Sequence, residues 1–149
     1  MTSWVKMALA ALAALALAAG PAAAQAPDPY ARELAQRLSQ AETVLAESGY
    51  ARAAGPFAGG AGNREGRRFS VMLRAGQDYR IVGVCESRCR DFDLRVFDPD
   101  GQLVGQDVLE DDVPVVYVRP RATGRHTIDV EMVRCMSAPC WFAFNVYSR

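Results

Sequence analysis

Apolar positions follow two regimes along the chain. Tyr30, Leu34, Leu38, Ala41 and Leu45 recur at spacings of four, four, three and four, which places them on one face of an α-helix. Asp28-Pro29 supplies a helix start, with Asp as the cap and Pro at the first helical position, and Gly49 supplies the stop. From Arg68 onward the period falls to two. Phe92, Leu94 and Val96 oppose Asp91, Asp93 and Arg95, and Ile128, Val130 and Met132 oppose Asp129 and Glu131. This alternation predicts strands over 68–73, 79–85, 92–98, 102–107, 114–119, 125–135 and 140–147. The separators are turn chemistry: Ala75-Gly76-Gln77-Asp78, Asp98-Pro99-Asp100-Gly101 and Ala122-Thr123-Gly124. Half-buried strands at short spacing, with no crossover helix between them, describe an antiparallel β-sandwich with one N-terminal helix.

The segment between helix and strands carries glycines at 55, 59, 60, 62 and 66. A glycine-rich loop that cradles phosphate leads into a helix and brings a lysine. Here the glycines lead into strand-like residues without a lysine, so 50–67 reads as a flexible Gly-rich linker before a sandwich domain over 68–149. The helix occupies 25–49.

Residues 1–24 read as a secretory signal. Lys6 gives a positive start, an uncharged Ala and Leu run follows, and Ala22-Ala23-Ala24 places small residues before Gln25. An uncleaved anchor needs about 20 strongly apolar residues; this run is shorter, mostly alanine, and stops at Gly20-Pro21. Cleavage therefore leaves no membrane span and a periplasmic or secreted protein. It also removes the one lysine, leaving 16 arginines against 17 acids, which excludes lysine Schiff-base chemistry. The balanced charge lacks the basic footprint of a nucleic-acid binder.

Export changes the meaning of Cys85, Cys89, Cys135 and Cys140. Such spacings suit zinc in a cytosolic protein, whereas an even cysteine count outside the cytosol favours disulfides. Of the three connectivities, Cys85–Cys89 and Cys135–Cys140 are expected, because Met136-Ser137-Ala138-Pro139 loops between two strand-like runs. No Cys-x2-Cys redox motif is present.

Three motifs resemble those of the bacterial pre-peptidase C-terminal domain. They are Leu73-Arg74-Ala75-Gly76-Gln77-Asp78-Tyr79, the run Asp91-Phe92-Asp93-Leu94 continuing to Asp98-Pro99-Asp100-Gly101, and Thr123-Gly124-Arg125-His126-Thr127. His126 stands where that family usually has an aromatic residue. The resemblance covers 69–147 and implies a jelly-roll-like sandwich serving exported enzymes as an accessory or substrate-binding module, with calcium or fibrous substrate as ligands of some members.

Among candidate chemistries, a metal site is the sharpest. Asp91 and Asp93 share a strand face by the two-residue period, and Asp111 and Asp112, with Asp107 and Glu110, lie in a later loop. Calcium takes six to eight oxygens of this kind, so calcium is the candidate cofactor; the competing reading pairs these acids with arginines on a solvated face. Serine hydrolysis would need His126 with Ser70, Ser87 or Ser137, but no Gly-x-Ser-x-Gly elbow exists. On the last strand Phe142, Phe144 and Val146 share one face, and Trp141, Ala143, Asn145 and Tyr147 the other. Trp141 and Tyr147 are thus candidate binding aromatics, unless the N-terminal helix covers them. The function expected is non-catalytic binding of an envelope protein or polysaccharide. The alternative is a structural protein that self-associates, as a homo-oligomer, through the helix face of Leu34, Leu38 and Leu45.

Overall fold

The computed structural model describes residues 26–149, so the expected signal segment lies outside the described residues. In chain order the elements are α1 (Asp28–Glu47), β1 (Ala51–Ala61), β2 (Glu65–Leu73), β3 (Tyr79–Cys85), β4 (Cys89–Phe97), β5 (Leu103–Asp107), β6 (Val115–Val118), β7 (Gly124–Cys135) and β8 (Cys140–Ser148). They form two antiparallel four-stranded sheets, ordered β1-β8-β3-β6 and β2-β7-β4-β5. The described residues form a mostly β sandwich with a single helix.

Alternation decides the core. Phe92, Leu94 and Val96 of β4, Ile128, Val130 and Met132 of β7, and Phe142, Phe144 and Val146 of β8 all point between the sheets and are buried. Five phenylalanines run through this layer. Phe57 stacks on Phe144 at 4.8 Å, Phe92 stacks on Phe142 at 5.2 Å, and Phe69 meets Phe144 edge-on at 5.0 Å, geometries that suit the aromatic quadrupole.

The helix docks on the outer face of the β1-β8-β3-β6 sheet. Leu34 and Leu38 pack with Val84, Trp141 and Ala143, while Leu45 packs with Tyr50, Val82 and Tyr147. Covering the second face explains why β8 is buried from Cys140 to Tyr147 without alternation. The helix begins one residue earlier than expected, with Pro27 at the cap position and no side-chain capping bond from Asp28. It ends as expected at Gly49, whose φ of +79° suits glycine. There Tyr50 N donates to Leu45 O at 3.1 Å and Gly49 N to Ala46 O at 3.0 Å, a Schellman ending with Tyr50 packed on Leu45.

The Gly-rich segment departs from expectation. Residues 51–61 form a full edge strand, β1, paired with β8, and not a flexible connector. The reason is close approach. A Cβ on Gly59 would lie 3.0 Å from the Phe142 ring, and one on Gly60 would lie 3.0 Å from the Trp141 ring. Glycine inside this strand makes room for its neighbour's large rings.

Candidate functional site

Both disulfides are Cys85–Cys89 and Cys135–Cys140, and no free cysteine is present among the described residues. Two bridges suit an oxidising compartment. No helix among the described residues is long and apolar enough to cross a membrane. The two bridged loops are tied together by Glu86, which is fully buried. Its Oε1 accepts from Arg88 Nε at 3.0 Å, Arg88 Nη2 at 2.7 Å and Trp141 N at 3.4 Å, and its Oε2 accepts from Arg88 N at 2.8 Å. Arg88 donates onward to Pro139 O at 3.0 Å, its own O accepts from Met136 N at 2.9 Å, and its guanidinium lies 4.2 Å from the centre of the Tyr30 ring. One ion pair thus joins both disulfide loops to the first turns of α1. The hydrogen bond to Glu86 raises the Arg88 pKa, so Arg88 stays charged.

The acids expected to hold a metal are engaged elsewhere. Asp93 accepts from Arg95 Nη2 at 3.0 Å, and Arg95 Nη1 also reaches Glu131 at 3.1 Å. Asp112 holds Arg37 of the helix at 2.7 Å, and Asp111 bonds Val113 N of its own loop at 3.0 Å. Asp107 accepts from Leu109 N and Val115 N. Among the described residues no three His, Cys, Asp or Glu side chains converge on a metal position. Carboxylates already held by arginine and backbone N–H groups give calcium no prepared cage. Asp91 differs, because its Oδ1 is buried without a partner. Burial, and then repulsion from Glu110, raises its pKa. Burial likewise raises that of Asp93, against the attraction of Arg95. Asp98 folds its own turn, with Oδ1 accepting from Asp100 N at 3.0 Å and Gln102 N at 2.8 Å.

His126 is buried, with Nδ1 3.1 Å from Gly124 O. Trp141 and Tyr147 lie beneath the helix, 9 % and 0 % exposed, so the pair forms no open aromatic ledge. What remains of Trp141's surface lines a groove of about 480 Å³ between α1 and β1. Burial raises the Tyr147 pKa, and its hydroxyl accepts from Asn145 Nδ2 at 3.1 Å.

A row of arginines and tyrosines crosses the other end of the same sheet. Register aligns Arg52, Tyr147, Arg80 and Tyr117 in one row across β1, β8, β3 and β6. The Arg80 guanidinium sits between two rings, 4.5 Å from the centre of Tyr50 and 4.6 Å from that of Tyr117. Arg149 lies 4.8 Å from the Tyr50 ring centre. Tyr50 is buried at the helix end, whereas Tyr117 is 61 % exposed. The nearby acids are taken: Glu42 faces Arg52 at 3.9 Å and Asp78 faces Arg119 at 3.6 Å. Neither Arg80 nor Arg149 has an ion-pair partner among the described residues, and Arg80 Nε is buried without an acceptor. Proximity to aromatic rings suits the planar, weakly hydrated guanidinium.

Sequence reasoning missed this row. The alternation that turns Arg80 and Tyr117 outward was visible between Tyr79 and Ile81 and between Val116 and Val118. That they face each other follows from the β3–β6 pairing, which no local pattern reveals. Set against models of known protein families and against curated proteins, the chain matches none of them.

Proposed function

We propose that the protein is a non-catalytic binding module of the cell envelope, periplasmic or secreted, that recognises an envelope protein or polysaccharide. The observation that carries this reading is the Arg80–Tyr117 pair: a cation close to two aromatic rings, with no ion-pair partner among the described residues, beside an exposed Tyr117. Beside it the end of the helix packs, Leu45 meeting Tyr50, Val82 and Tyr147. The role agrees with the accessory function implied by the resemblance to pre-peptidase C-terminal domains. The self-assembling alternative required Leu34, Leu38 and Leu45 at the surface, and all three are buried against the protein's own sheet.

The test is retention of fractionated envelope polysaccharide and envelope protein on the immobilised, oxidised protein, beside an Arg80→Gln/Tyr117→Ala variant. Retention that the double variant loses is expected. Equal retention by both proteins, or none by either, would refute the proposal.

A further inference from the structure

We infer that the Arg80–Tyr117 row binds a carboxylated polysaccharide, a uronate polymer, an inference that rests on the binding-module reading above. The site combines two demands that neighbouring residues of one polymer meet together. Arg80 supplies a planar cation whose fork matches a carboxylate. Tyr117 supplies a ring with Arg80 over it and 61 % of the residue still open to solvent. The two residues are direct cross-strand partners, so their side chains stand about 5 Å apart at the backbone. A hexuronate carries an apolar C–H face and a carboxylate on the same ring. One residue of the polymer can therefore lay its face on the side of Tyr117 that Arg80 does not cover, while the carboxylate of a neighbouring residue meets the guanidinium. An acidic peptide offers the carboxylate on a flexible stem with no flat face to stack.

The surroundings favour a polyanion. The arginines facing Glu42 and Asp78 neutralise the nearby acids, and Arg149, over the same Tyr50 ring as Arg80, adds a second cation for a repeating charge. Arg52 and Tyr117, at the two ends of the row, are exposed, and Tyr147 between them is buried.

The experiment titrates the oxidised protein with polygalacturonate and with alginate by calorimetry. Fully methyl-esterified polygalacturonate serves as the uncharged control and poly-L-glutamate as the acidic-peptide control. Binding of a uronate polymer is expected, lost on esterification, falling with salt, and weakened at least tenfold by Tyr117→Ala and by Arg80→Gln. Arg80→Lys is expected to fall between, keeping charge but losing the stacked fork. Tyr117 is exposed and Arg80 has no polar partner to orphan, so both variants should unfold at nearly the wild-type temperature.

Failure to bind either uronate polymer overturns the inference. So does poly-L-glutamate binding as tightly and indifferently to Tyr117→Ala, which would make the row an acidic-peptide site. In both cases, envelope retention that depends on Arg80 and Tyr117 would leave the binding-module reading standing and reject only the ligand class.

Discussion

Removing Glu86 tests whether one buried ion pair holds the disulfide end of the sandwich together. Glu86→Ala deletes a fully buried carboxylate that accepts four hydrogen bonds, from Arg88 Nε, Arg88 Nη2, Arg88 N and Trp141 N. Breaking a buried pair from one side typically costs about 3–5 kcal/mol. The Arg88 side chain is 27 % exposed and Glu86 is not exposed at all, so water can take over part of what Arg88 loses. This places Glu86→Ala near the lower limit, about 3 kcal/mol. At roughly 4 °C per kcal/mol for a domain of this size, the melting temperature should fall by about 12 °C. Arg88→Ala leaves the carboxylate buried and without its cation, and should cost more, about 5 kcal/mol. Urea unfolding of the oxidised variants gives both values, with the midpoint moving at constant slope. A loss under about 1 kcal/mol for Glu86→Ala, or a milder effect of Arg88→Ala, would refute this account of the pair.

Asp91 and Asp93 have pKa values raised by burial, so the folded state holds their protons to higher pH than the unfolded state. Their contribution to stability is therefore present at acid pH and is lost as pH rises through the raised values. Asp91→Asn should raise the melting temperature above the carboxyl's raised range and flatten its fall as pH rises through that range; a lower temperature with the slope unchanged would contradict this. Leu38→Ala should cost about 2–3 kcal/mol by opening a cavity under the helix. Trp141, which packs in the same cluster, should then shift its fluorescence to the red, and an unmoved emission maximum would count against the docking. Thermal unfolding in calcium and in chelator should coincide, because arginines already hold Asp93 and Asp112. A calcium-dependent rise abolished by Asp91→Asn would show a site that this geometry does not supply.

Local patterns reached far into this fold. The spacing of Leu34, Leu38 and Leu45 defines the buried helix face, and the alternation around Phe92, Ile128 and Phe142 defines the core face of three strands. Both depend only on the helical and extended periods, which the backbone imposes on any sequence. The short cysteine pairings were legible for a similar reason, since each bridge spans four or five residues. The Asp98 turn was legible because its carboxylate bonds its own backbone.

Relations between distant segments were not legible, and those made the surface. Glycines at 59 and 60 look like slack until Phe142 and Trp141 are laid beside them. Asp93 and Asp112 look like ligands until Arg95 and Arg37 reach them. Trp141 and Tyr147 look like a ledge until the helix closes over them. Arg80 and Tyr117 carry no local signal of partnership, and only the pairing of β3 with β6 stacks them. The sequence by itself determined the periods, the turns and the bridges, because these are set within a few residues of backbone. The tertiary structure decided which polar groups are occupied and which stand free, because that depends on which strands lie side by side.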